Sequence, residues 1–298
     1  MNRSALFPFI SIVLIYLLST SGFGIIFVPF FPIIFLNFYE HAAKKQRFLS
    51  AALLVFFVAG ALFSLNAVIF LCLAVFPSIL LAILHRSGNA KNWRTVVIPT
   101  IPAFIFTALA VSIPHIRELF QNELVKAIET LYASLNLGDA ERLSDSLLNK
   151  FYINRVQNAR QAVLLSPAAV FSGISMICYF TELIRFRTLP HWIIPLPDIF
   201  LSLIASGGLL AALPVNWVNT DILKFMGFNF LLIAASLYFY RGFDLLLYFM
   251  NRWKLSPFFR FFFCILVLLE SLLMLLVSVL GVISVFKNFV KDEKTDKV

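Results

Sequence analysis

Apolar residues in this chain run in long blocks, with little of the alternation that marks a half-buried strand. The blocks are Ala5–Leu18, Phe23–Phe38, Phe48–Phe63, Leu65–Leu84, Thr95–Ile113, Leu164–Ile184, Ile193–Leu213, Ile222 to about Met250, and Phe258–Phe286. A helix needs about 20 mostly apolar residues to cross the hydrocarbon core of a bilayer. The pattern therefore predicts an all-α fold, a polytopic transmembrane helical bundle of about eight or nine spans.

Breaks in the blocks refine this picture. Ser19-Thr20-Ser21-Gly22 separates the first two, and Pro8, Pro29 and Pro32 lie within them. Short, Pro-interrupted helices that stay in the mature protein are expected here, in preference to a cleaved signal peptide. Pro29 and Pro32 are expected to kink or break the second helix. Ser64 to Asn66 leaves room only for a tight hairpin. Arg241-Gly242-Phe243-Asp244 is expected to interrupt the eighth segment, whereas Phe258–Phe286 reads as one long ninth span that tilts or protrudes.

Residues 114–163 differ. Ile116, Leu119, Phe120, Leu124, Ile128, Leu131 and Leu135 recur at helical spacing among balanced charges. Gly138 is a helix stop and Asp139 an N-cap for a second helix. The reading is an extramembrane amphipathic helical hairpin whose apolar face lies on the membrane or covers the bundle. Three regions result: N-terminal transmembrane helices over 1–113, the hairpin over 114–163, and C-terminal transmembrane helices with a short polar tail over 164–298.

Charge supplies the orientation. Basic residues mark the loops at Lys44, Lys45 and Arg47, at Arg86, Lys91 and Arg94, at Arg185 and Arg187, and at Arg252 and Lys254. Two spans separate each loop from the next, so all four share one side, which the positive-inside rule makes cytoplasmic. The hairpin then lies outside. The tail with Lys287 and Lys291 would also fall outside, against the rule, which makes the last two segments the weak part of the count.

Composition agrees with a membrane protein: 61% hydrophobic residues, 13% charged and a mean hydropathy of +0.92. Charges this sparse could not cover the surface of a soluble domain. The net charge of +9 belongs to the loops, and without an interleaved basic and aromatic run no nucleic acid is expected as a partner. The 35 Phe residues fill gaps between helices and need no cofactor. Cys72, Cys178 and Cys264 sit in apolar segments as free thiols, without a disulfide framework or a zinc pattern.

Catalytic motifs are missing. There is no phosphate loop, HExxH, GxSxG or GxGxxG, so no enzyme is indicated and no cofactor is implied. His41, His85, His115 and His191 read as interfacial histidines. The informative residues are charges within apolar segments, since one at a helix centre costs at least about 2.5–3.5 kcal/mol and is paired or functional. Glu182, Asp198 and Asp221 stand near segment ends and are expected to reach the interface. Glu270, roughly 18 Å into its segment at about 1.5 Å per residue, cannot do so. Arg241 and Asp244 lie three apart and could pair with each other, or Arg241 with Glu270. Asn66 and Asn229 read as helix-bridging amides. Glu270, Arg241, Asp244 and Asn229 thus form the candidate intramembrane polar site. It is either a structural pairing or a ligand or proton site.

The order of features resembles a known family. Pro29 and Pro32 precede a basic loop and an alanine-rich span. A polar region follows, then a Pro167-led helix ending at Arg185 and Arg187. Trp192, Pro195, the stretch from Asn229 to Tyr238–Gly242 and a final Gly281 complete the series. Together they resemble the bacterial membrane family typified by YybS, domain of unknown function 2232. That family is in turn distantly similar to the substrate-binding membrane subunits of energy-coupling-factor vitamin transporters. The resemblance implies a multi-pass protein of the bacterial cytoplasmic membrane, with lipid, other membrane subunits or a separate ATPase as partners. The residues themselves point to two functions: a small-molecule binding or transport subunit, from the broken early helices and the mid-segment Glu270, or a non-catalytic scaffold or regulator that presents its outer amphipathic hairpin, with a membrane enzyme ranked last.

Overall fold

A computed structural model describes residues 3–20, 29–41, 57–58, 70–87, 93–136, 161–185, 196–197, 199–212 and 220–286. Every regular element among the described residues is helical. The helices are α1 (Arg3–Thr20), α2 (Phe31–His41), α3 (Leu71–Arg86), α4 (Trp93–Ser112), α5 (Pro114–Asn136), α6 (Ser166–Arg185), α7 (Ile199–Ala211), α8 (Thr220–Arg252), α9 (Pro257–Leu269) and α10 (Ser271–Phe286). Trp93–Ser112, Val163–Ile184 and Leu223–Arg252 are each long and apolar enough to cross a membrane. The pair α9 and α10 makes a fourth span only if a helix bent by 102° counts as one. The expected span Phe48–Phe63 (Phe57 and Val58 apart), the Ser64–Asn66 hairpin, the second arm of the outer hairpin from Asp139, the loops at Lys45, Lys91 and Arg187, Asp198, and the tail from Lys287 lie outside the described residues.

Three sequence expectations change. α1 runs as one helix through Pro8. Pro29 and Pro32 do not kink α2 from within, because the helix starts at Phe31 and Pro32 occupies its first turn, where no intrahelical N–H is needed. The tetrad at Arg241–Asp244 does not interrupt the eighth segment, since α8 is continuous over 33 residues. The break comes instead in the ninth. Glu270 adopts an extended conformation (φ −98°, ψ 112°) between α9 and α10. Its N–H donates to Leu266 O (3.1 Å) and its carbonyl accepts from Met274 N–H (3.0 Å), so the residue ends one helix and starts the next. Where the sequence leads one to expect the first arm of an extramembrane hairpin, the chain forms a 23-residue helix, α5, with Leu119, Phe120 and Leu124 exposed.

Packing rests on two materials. Around α1–α3, aromatic rings fill the core: Phe31 meets Phe70 edge-on at 5.1 Å, and Tyr16 lies 4.6 Å from Phe57, donating its hydroxyl to the Phe57 carbonyl. Around α8, glycines let backbones touch. A Cβ on Gly242 would stand 1.9 Å from Val277 O, and one on Gly281 would stand 1.9 Å from Tyr238 O. These pairs make α10 antiparallel to α8. Gly207 and Gly227 bring α7 against α8 in the same way, with a Cβ on Gly227 only 2.6 Å from Ala211 N. Small residues at such crossings replace the hydrophobic drive that lipid cannot supply.

Ala at Gly242 or Gly281 must force α8 and α10 apart, at a cost of about 1–3 kcal/mol. Thermal unfolding in detergent should show Gly242→Ala and Gly281→Ala melting well below the wild type. Gly208→Ala should be silent, because nothing lies within 4 Å of its added Cβ.

Candidate functional site

α6 and α8 are joined by a line of polar bonds. At its start, Asn229 Oδ1 accepts from the Ala168 N–H (3.0 Å) and Asn229 Nδ2 donates to Leu164 O (2.9 Å) and Phe225 O (2.8 Å). Asn229 thereby serves two backbone groups at the Pro167 end of α6. Further along, Ser172 and Ser236 hydroxyls meet at 2.5 Å and Ser175 and Tyr240 hydroxyls at 2.7 Å. Last, Tyr179 donates to Asp244 Oδ1 at 2.5 Å. Residue numbers rise together on both helices, so α6 and α8 are parallel. Every partner on α8 is spaced by a multiple of one or two turns, which puts all of them on one face.

One turn beyond Tyr179, Glu182 is fully buried and its Oε1 is hydrogen-bonded to His85 Nε2, from the last turn of α3. The His85 side chain is 8% exposed. Glu182 Oε2 is buried with no hydrogen-bond partner among the described residues. An unpaired buried carboxylate oxygen is costly, and native structures retain such groups where they have a task. The basic residues Arg86, Arg185 and Arg252 end the same three helices, so α3, α6 and α8 gather their C-termini at one end of the bundle.

The four residues expected to form one site are separated. Asn229 is the helix-bridging amide expected of it. Asp244 is buried on the α6 side, bonded to Tyr179. Arg241 turns to the other side of α8, where its Nε donates to Ser284 Oγ (2.8 Å) and its Nη2 to Ser284 O (3.1 Å). Glu270 is exposed at the bend between α9 and α10, and among the described residues it has no cation within ion-pair distance. The expectation of a Glu270 held deep in a straight span is corrected: the bend brings it to the surface. Glu182 is corrected in the opposite sense, since it is buried instead of reaching the interface.

Sequence reasoning makes His85 an interfacial histidine, whereas it is buried against Glu182, and does not single out Tyr179 or Ser175. A signal existed in the spacing Ser172, Ser175, Tyr179 on α6, matched by Ser236, Tyr240, Asp244 on α8. Among the described residues no three His, Cys, Asp or Glu side chains gather to hold a metal ion. A separate apolar cavity of about 210 Å³ opens between α3 and α4, lined by Cys72, Phe76, Pro99, Pro102, Ala103 and Phe106. Both walls depart from α-helical geometry there, as a π-helical segment at Leu71–Val75 and a 3₁₀ turn at Ile98–Thr100.

Residues 9–284 match the family described as predicted membrane protein, DUF2232. The chain belongs to that family. No curated protein and no solved structure matches it. Membership fits the apolar helices and the wide exposure of Phe106, Leu109, Leu209 and Leu272, which lipid covers in a membrane protein.

Truncating Asn229 to Ala strands the Ala168 N–H and the Leu164 carbonyl. A loss of about 1–3 kcal/mol is expected, read as an earlier melting transition in detergent. Glu270→Gln, at an exposed bend, should stay within about 0.5 kcal/mol of the wild type.

Proposed function

We propose that this protein is a small-molecule binding or transport subunit of the bacterial cytoplasmic membrane, and that Glu182 is the group through which it takes up a cationic ligand or a coupling cation. The observation that carries this reading is the fully buried Glu182 carboxylate, with one oxygen on His85 and the other unpartnered among the described residues. Intramembrane carboxylates that face the bundle interior serve ion and substrate pathways. On this reading the group stands at the cytoplasmic end, since the helices beside it end in Arg86, Arg185 and Arg252 and the positive-inside rule favours basic ends there.

The YybS-like order of features, and through it the distant likeness to energy-coupling-factor substrate-binding subunits, agrees with this role. It points to further membrane subunits or a separate ATPase as partners. The role proposed is a binding one, with the Glu182 carboxyl and the His85 imidazole as its polar groups. A second reading, a scaffold or regulator, is favoured by one observation: α5 exposes Leu119 and Phe120.

The test begins with native mass spectrometry of the protein purified in mild detergent, to identify a co-purifying metabolite or cation-dependent adduct. Glu182→Gln should abolish its retention while the protein stays abundant and folded. Deleting residues 116–135 should leave retention intact. A Glu182→Gln protein that holds the same metabolite at wild-type occupancy would overturn the assignment.

A further inference from the structure

α9 carries two stripes. Phe258, Phe262, Ile265 and Leu269 follow one another at helical spacing and are 79%, 58%, 38% and 78% exposed. On the opposite face Val267 is buried, with Phe263, Cys264 and Leu268 packed beside it in the core around α8. The Cys264 thiol lies within electrostatic reach of the Tyr179 hydroxyl. The middle of α9 therefore packs on the core that also holds Tyr179 and Phe243, at the flank of the bundle. Its outer stripe looks sideways.

The direction of α9 follows from its neighbours. α10 lies antiparallel along α8, with Val277 at Gly242 and Gly281 at Tyr238. Continuing that register brings Glu270 to about the level of Phe249, close to the Arg252 end of α8. α9 is turned by 102° from α10, so it runs across the bundle axis and does not follow it. Both ends suit a water-membrane boundary. The Ser256 Oγ accepts from the Phe259 N–H (3.3 Å), Pro257 starts the helix, and Trp253 and Lys254 are exposed in the preceding turn. Arg260, the single charge on α9, folds back to Leu255 O and Asn251 Oδ1. At the other end, the first-turn N–H groups of α10 lack intrahelical partners and need water or headgroups close by.

We propose that α9 is an in-plane helix sunk in one leaflet, its outer Phe stripe seated among the acyl chains at the basic end of the bundle, and that α10 alone runs along α8 into the bilayer. Interfacial helices bury their apolar face about 5–10 Å into the headgroup and acyl boundary. The ring of Arg252, Lys254 and Arg260 suits the anionic headgroups above that level. The continuous apolar block Phe258–Phe286 thus divides into a surface anchor and a helix that runs along α8.

Spin labels at Phe258, Phe262, Ile265 and Leu269, each introduced as a single cysteine in a full-length chain lacking the native three, test this in vesicles of phosphatidylglycerol and phosphatidylcholine. Power saturation with oxygen and a water-soluble nickel complex reports depth. The four labels should report one depth. A spanning helix would instead deepen by about 1.5 Å per residue, or roughly 16 Å from Phe258 to Leu269. Labels at Leu272, Val279 and Ile283 on α10 should show that steady change and serve as the internal standard. A depth gradient across α9 equal to that along α10, or nickel access without oxygen access at all four α9 positions, would overturn the proposal.

Discussion

Hydroxyl, amide and carboxyl groups inside a bilayer must find partners within the protein, and the line of bonds between α6 and α8 is where this chain meets that demand. From Asn229 at one end to Asp244 at the other, each polar side chain facing the seam is answered by one on the other helix or by its backbone. Such bonds fix register as well as proximity, since a slide by one turn would strand several groups at once. They also fix direction. Two parallel helices cannot follow one another in sequence without a return, and α7 supplies it, antiparallel to α8 through Gly207 and Gly227.

α8 is the hub of the arrangement because two of its faces are specialised. One bears the polar seam; the other carries the Gly227 contact with α7 on its first half and the Gly242 contact with α10 on its second. The tetrad Arg241–Asp244 is the place where two of these meet. Arg241 binds Ser284 on α10, Gly242 admits α10 to backbone contact, Phe243 packs in the core, and Asp244 takes the bond from Tyr179. A stretch that reads as an interruption by polarity is helical because each residue has its own neighbour.

The helical class and the membrane habit were legible in the sequence, because block hydrophobicity is a property of single segments. Asn229 as a bridging amide was legible for a related reason: a lone amide in an apolar run has few other uses. What the sequence hid depends on pairs. His85 and Glu182 are 97 positions apart, and nothing local in either says that it faces the other. Glu270 misled for the opposite cause. Hydropathy measures apolar length without direction, so a bend within an unbroken apolar block leaves no trace in it. The same charge can stand at mid-span or at the surface according to whether the chain turns there. The proline signals erred by a few residues only, since Pro32 is tolerated at the first turn that α2 happens to begin.

The length of α8 has a mechanical consequence. Its 33 residues rise about 50 Å at about 1.5 Å per residue, against a hydrocarbon core about 30 Å thick. Even at a tilt of about 40°, the steepest usual for membrane helices, roughly 38 Å would still lie along the membrane normal. α8 is therefore a strut whose ends stand in both headgroup layers. A thinner or thicker bilayer changes its tilt before its shape, and the backbone contact at Gly242 and Gly281 hands that tilt to α10. The Tyr179–Asp244 bond ties the same strut to α6, so α6, α8 and α10 tilt as one unit.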